Sequence, residues 1–242
     1  RRPEAIERVA DEICQDALLD GVSTLEIRFA PQLHELALEE AVDAALSGIA
    51  GRCGLILCGL YGESPEVLEA LVALASRREG VVGIDVAGGP LPQHEWGLRD
   101  YLGAYRRARD LGLGRTVHAG EGRGADEIRF AVEQLGAQRI GHANSLLEDP
   151  GLVDLLCEEG VTIEACPTSN VHTGLIAELS EHPLSRWLDA GVSVCVCTDN
   201  TLFSQVQQSE EMARVALIPG MNEAKVGRLV EAGRRASFGG PL

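Results

Sequence analysis

Apolar residues recur along this chain at helical and strand periods in strict turn. Residues 4–19 place Ile6, Val9, Ala10, Ile13, Cys14 and Ala17 at the spacing of one helix face, and Gly21 closes the segment. The stretch TLEIRFAP (24–31) predicts a strand ended by proline, and 36–49 predicts a second helix. GLILCGL (54–60) has the continuous apolar character of a strand buried on both faces. Ser64 and Pro65 supply an N-cap and a first-turn signal for a helix to about Arg78. The alternation continues with strand VVGIDVAG (81–88), a helix at 97–111, strand RTVHAGE (115–121), helix ADEIRFAVEQLG (125–136) and strand RIGHA (139–143). A helix near 150–159, strand VTIEACPTSN (161–170), a helix opened by Pro183 to about Leu188, strand VSVCVCTDN (192–200) and two final helices complete the pattern.

Short apolar strands alternating with helices predict an α/β fold with a parallel sheet. Doubly wound sheets place their functional loops at one switch point. Here polar clusters follow the ends of several strands: HAGE at 118–121, GHAN at 141–144, PTSN at 167–170 and TDN at 198–200. Functional groups at the C-terminal ends of many strands are what a (β/α)8 TIM-type barrel produces. Seven predicted strands, with a helix in front of them, fit such a barrel lacking its first strand. No linker, repeat or low-complexity tract interrupts residues 1–242, so a single barrel domain is expected.

Composition narrows the class. At 242 residues the chain can bury a sizeable core, and 45% hydrophobic with 24% charged residues excludes disorder. No apolar run approaches the roughly 18 residues of a membrane span, and RRPEAIERVADE has no signal-peptide core. Asp and Glu number 37 against 21 Lys and Arg, a net charge of -16 that opposes nucleic-acid binding through phosphate contacts. Seven cysteines (14, 53, 58, 157, 166, 195 and 197) form no CxxC pair and read as reduced, buried thiols of a cytoplasmic protein. Cys195 and Cys197, two apart in a strand-like run, share one face; core packing is preferred there over a soft-metal site.

The candidate chemistry lies at the strand ends. His118 follows an apolar strand and Glu121 comes three residues later, so an imidazole can bind a metal beside a carboxylate that moves a proton. His-x-x-Glu alone is equally compatible with a surface role. His142 holds the same position on the next strand, and two adjacent strands ending in histidine converge. Asp199 ends the run VSVCVCTD, where a buried carboxylate needs a cation or strong donors, with Asn200 beside it as a neutral donor or acceptor. A turn-capping aspartate is the plainer alternative. His34, His94, His172 and His182 read as structural or solvated, with His34 and His172 the exceptions to watch and His182 a helix-start residue. Gly88 and Gly89 make either a plain turn or a close backbone approach to a flat ligand. Arg28 reads as half of an internal ion pair.

The ordered series GIDVAG, TVHAGE, RIGHA, CPTSN and TDN resembles the adenosine deaminase family, metal-dependent hydrolases on a (β/α)8 barrel, over essentially the whole chain. The resemblance implies one zinc ion (Zn), with His118 and Asp199 as metal ligands and two further histidines from an N-terminal His-x-His. It implies that Glu121 protonates a purine ring nitrogen, that His142 holds and deprotonates the attacking water, and that Gly88 offers its amide to the base. This chain contains no His-x-His and is shorter than the family pattern, so it is expected to be N-terminally incomplete and to bind zinc weakly or not at all. Asn200 stands where many members carry a second aspartate, and it implies a variant site in which Asn200 contacts the purine or the nucleophile.

The implied reaction is hydrolytic deamination of adenosine, or a related aminopurine nucleoside, to the 6-oxo purine and ammonia. The expected partner is thus a small purine nucleoside, without nucleic acid or membrane. Rival readings are a deaminase of an aminodeoxyfutalosine-type intermediate or of adenosine monophosphate, and a metal-free, non-catalytic purine binder.

Overall fold

The computed structural model describes residues 2–89, 91 and 93–239. The chain divides into two compact units, Arg1–Thr116 with Ser237–Leu242, and Val117–Ala236.

The first unit runs α1 (Pro3–Leu19), β1 (Glu26–Phe29), α2 (Leu38–Ile49), β2 (Gly54–Leu60), α3 (Pro65–Ala75), β3 (Val81–Ala87), α4 (Leu102–Asp110) and the first half of β4 (Gly114–Ala119). Its strands are parallel and lie in chain order, with Phe29 beside Leu57 and Leu57 beside Ile84. Leu55, Leu57, Ile84 and Val86 are fully buried, as a strand covered on both faces requires. Helices α1 and α2 cross at Gly48, where a Cβ would stand 2.0 Å from the Glu7 carbonyl oxygen, so only glycine permits the approach. Arg28 does form an internal ion pair, its Nη1 2.7 Å from Oδ2 of the buried Asp85. Near the C-terminus the Phe238 ring occupies the space in front of Gly83 and Gly114, and its backbone N–H donates to Glu26 Oε1.

The second unit holds the end of β4, then α5 (Ala125–Glu133), β5 (Arg139–His142), α6 (Pro150–Glu159), β6 (Thr162–Ala165), α7 (Pro167–His172), α8 (Leu184–Asp189), β7 (Ser193–Val196), α9 (Thr201–Ser204), α10 (Gln208–Val215) and α11 (Glu223–Ala236). These strands too are parallel and sequential, Ile140 beside Ile163 and Ile163 beside Val194. Ile128, Leu146, Leu152, Leu156 and Trp187 fill the space beneath the helices. Inside it, Arg139 Nε lies 2.7 Å from Glu164 Oε1, with both side chains almost wholly buried. Arg139 Nη1 also donates to the carbonyl of Ala236 at the end of α11.

Seven parallel strands alternating with helices make up the α/β, TIM-type class that the pattern predicts. Three local expectations are corrected. The strand expected over 161–170 stops at Ala165, and PTSN starts α7, because Pro167 pre-sets the helical φ at a position where its missing N–H costs nothing. The strand expected over 192–200 stops at Val196. Three helices, not two, then follow it among the described residues. All seven cysteines are free; Cys157 is exposed, whereas Cys14, Cys58, Cys166 and Cys195 are buried. No helix among the described residues is long and apolar enough to cross a membrane.

Candidate active site

The second unit gathers His118, Glu121, His142 and Asp199. His118 sits one residue before the end of β4 and His142 is the last residue of β5. Both are buried, and their rings meet edge to face with centroids 5.0 Å apart. The glycines of the motifs make this possible. A Cβ on Gly141 would press to 3.2 Å from His118 Cγ and Nδ1, and one on Gly120 to 2.7 Å from Ser145 Oγ. Glu121 Oε2 lies 3.6 Å from His142 Nε2. Burial pushes the Glu121 carboxyl above the usual carboxylate range; His118 draws it down, Asp199 pushes it up and Arg123 draws it down. Those four groups therefore share one electrostatic neighbourhood.

Three non-glycine residues here adopt left-handed backbone: His142 (φ 65), Ala143 (φ 54) and Asp199 (φ 56). Such conformations cost on the order of 1 kcal/mol or more each and collect where function over-determines the backbone. Asp199 differs from its expected setting. It is exposed, so the cost of burying a carboxylate does not call for a cation there. Its position rests instead on the left-handed turn after β7 and on Ser169, whose Oγ donates to Asp199 Oδ2 at 2.6 Å.

Helix α7 turns three consecutive side chains toward three partners. Thr168 donates to the buried Glu211 from its backbone N–H (2.8 Å) and from Oγ1, Ser169 donates to Asp199, and Asn170 Nδ2 lies 3.0 Å from His142 Nδ1. The sequence pattern placed PTSN at the end of a strand, as a polar cluster and part of the family series. The missed signal is a proline followed by three polar residues, which begins a helix and so distributes its side chains around an axis. Cys166, read as a core thiol, has its sulfur within 4.8 Å of ligand atoms of both His142 and Asp199. It donates its S–H to the Glu164 carbonyl, as a protonated thiol does.

The other residues lie as follows. Asn200 is exposed at the start of α9, where its carbonyl accepts from the Phe203 and Ser204 N–H groups. Gly88 belongs to the first unit, just after β3, with φ 73 and nothing within 4 Å of a Cβ position, which excludes neither a turn nor a ligand approach. His34 tilts against Phe29, His94 Nδ1 accepts from the Leu91 N–H, and His172 is exposed. Pro90 and Pro92, beside His94, lie outside the described residues.

His182 is buried, with Trp187 edge-on to its ring, and burial pulls its pKa down from 6.5 to about 4. The unfolded chain therefore takes up this proton first. His182 contributes stability that is complete above pH 6.5 and is lost as pH falls toward 4, about 3 kcal/mol at most. Urea unfolding at stepped pH should show that decline, and His182→Gln should flatten it; an unchanged decline in the variant assigns it to other groups.

Histidines and carboxylates gathered where parallel β-strands end stand where enzymes of the α/β-barrel class carry their chemistry. The chain belongs to the adenosine deaminase family, hydrolases acting on C–N bonds of cyclic amidines: the family model described as Adenosine deaminase matches residues 1–240. It is 36% identical over 248 residues to the adenosine deaminase of Serratia proteamaculans (strain 568), covering 97% of this chain and 74% of that one. Among solved structures, an adenine deaminase from Arthrobacter aurescens superposes with a TM-score of 0.90 at 25% identity, covering 98% of this chain and 75% of its own. An N6-methyl-AMP deaminase from Arabidopsis thaliana does so with a TM-score of 0.86 at 26% identity, covering 98% and 74%.

Proposed function

We propose that this chain carries out zinc-dependent hydrolytic deamination of adenosine, or a closely related aminopurine nucleoside, releasing the 6-oxo purine and ammonia. The observation that carries the reading is the convergence of Glu121 on His142 beside His118 and Asp199, in a member of the adenosine deaminase family. The donor set fits part of a zinc site: His118 and Asp199 supply one imidazole and one carboxylate, and the two further histidines of the family pattern are not in this sequence. Imidazole and carboxylate are zinc ligands, and Ser169 fixes one Asp199 oxygen as outer partners of ligands do. His118 and Asp199 would hold the ion. When bound, it supplies Lewis-acid activation of water at neutral pH.

The chain's own groups supply the rest. Glu121 hands a proton to a purine ring nitrogen, which makes C6 electrophilic. His142 holds the attacking water toward that carbon. Asn200 contacts the purine or the nucleophile with a neutral amide. Seven free cysteines favour a reducing, cytoplasmic setting.

The test is the fall in adenosine absorbance on conversion to inosine, with metal analysis of the same sample. Turnover that tracks zinc content is expected. A zinc-loaded protein that leaves adenosine, adenosine monophosphate and adenine unchanged would refute the proposal. Turnover of adenosine monophosphate instead, the alternative favoured by the N6-methyl-AMP deaminase likeness, would move the substrate from nucleoside to nucleotide.

A further inference from the structure

The backbone N–H of Leu184 donates to His182 Nδ1 at 3.1 Å. A backbone amide cannot reverse its polarity, so Nδ1 carries no proton, and a neutral imidazole then carries it on Nε2. Burial keeps this ring neutral. His182 Nε2 lies 3.3 Å from Asn170 Oδ1, which therefore accepts. The same oxygen accepts from Asn144 Nδ2 at 3.2 Å, filling its two lone pairs. With Oδ1 so assigned, the other end of the fully buried Asn170 amide is Nδ2, a donor, and it faces His142 Nδ1 at 3.0 Å. His142 Nδ1 accepts, so its proton sits on Nε2, the atom 3.6 Å from Glu121 Oε2.

We propose that Asn170 and His182 are positioning residues that hold His142 as its Nε2–H tautomer, through a one-way hydrogen-bond chain anchored on the Leu184 N–H. The assignment deepens the proposed deaminase reading and, for its functional meaning, rests on it. It changes the part played by His142. A ring with Nε2–H holds the attacking water by donating to it; the water's proton then passes to the Glu121 carboxylate left after the purine ring is protonated, and from there to the departing amino group, which leaves as ammonia. It also separates His142 from the ion's ligands. A metal-bound imidazole donates its second N–H outward, whereas Nδ1 of His142 receives one. His142 thus lies near Cys166 and Asp199 without serving as a ligand beside them.

The experiment is nitrogen-15 NMR of the histidine rings in the labelled protein, which distinguishes Nδ1–H from Nε2–H directly. The wild-type His142 ring is expected to carry its proton on Nε2. In Asn170→Asp an oxygen replaces the donor at the same place, and the proton is expected to move to Nδ1. His182→Gln keeps a donor toward Asn170 and should leave the His142 tautomer unchanged. Steady-state kinetics of Asn170→Asp should show kcat reduced roughly 10- to 100-fold with little change in KM. A wild-type His142 protonated on Nδ1 overturns the proposal without any variant, as does an Nε2–H tautomer that persists in a folded Asn170→Asp protein. The expected tautomers in a protein that deaminates no purine would support the hydrogen-bond chain and sink the deaminase reading. Deamination with His142 protonated on Nδ1 would do the reverse.

Discussion

Glu121→Gln should reduce the rate of purine deamination by roughly 10²- to 10⁴-fold, the contribution typical of a positioned proton donor. Glutamine has the same length and keeps one oxygen and a hydrogen-bonding nitrogen, but it has no acidic proton to give the ring. Burial raises the wild-type carboxyl above the usual carboxylate range, and His142 and His118 lie beside it. Because the change removes a proton and little volume, binding of a purine product or analogue should stay within a few-fold. The rate is read by the absorbance assay and binding by calorimetry. A variant retaining more than a tenth of wild-type kcat would show that another group donates the proton. Loss of binding along with rate would mean that Glu121 builds the pocket and does not act chemically.

Glu164→Ala should destabilise the protein by about 3–5 kcal/mol, the usual cost of breaking a buried ion pair by removing one partner. Arg139 and Glu164 lie on neighbouring strands β5 and β6 with 6% and 5% of their side chains exposed, so the guanidinium left behind cannot be rehydrated without opening the sheet. Arg139 also reaches the end of α11 through the Ala236 carbonyl, and that link would then join a charge without a counter-ion. Urea denaturation should show a lower midpoint at an unchanged slope. A loss below about 1 kcal/mol would show that water enters and solvates the arginine, as it does for exposed pairs. The loss should arise without change in the active-site chemistry, since neither residue is placed among the reacting groups.

What was legible in the chain follows from the range of each signal. Strand VVGIDVAG, helix ADEIRFAVEQLG and the β5 motif RIGHA could be read because apolar periodicity and glycine act over a few residues. His118, Glu121, His142 and Asp199 were legible as candidate site residues because each stands where an apolar strand gives way to polar chain. PTSN was misread because the strand before it is only four residues long, and the helical start at Pro167 competes with continuation of the strand. Asp199 was placed correctly but its exposure was not, since the apolar run before it says nothing of what covers the turn after it.

By itself the sequence determined the succession of elements, the parallel α/β class, the four polar groups at the strand ends and the family resemblance, because these depend on residue type and near-neighbour spacing. Only the tertiary structure decided that Ser169 holds Asp199 and that Glu211 anchors Thr168. It alone revealed that Leu184, His182, Asn170 and His142 are joined in one hydrogen-bond chain. Those partners are 43 residues apart for Thr168 and Glu211 and 28 for Asn170 and His142, and nothing in their local spacing records them. The direction of a hydrogen bond depends on which donor meets which acceptor, and that is decided only when distant segments pack.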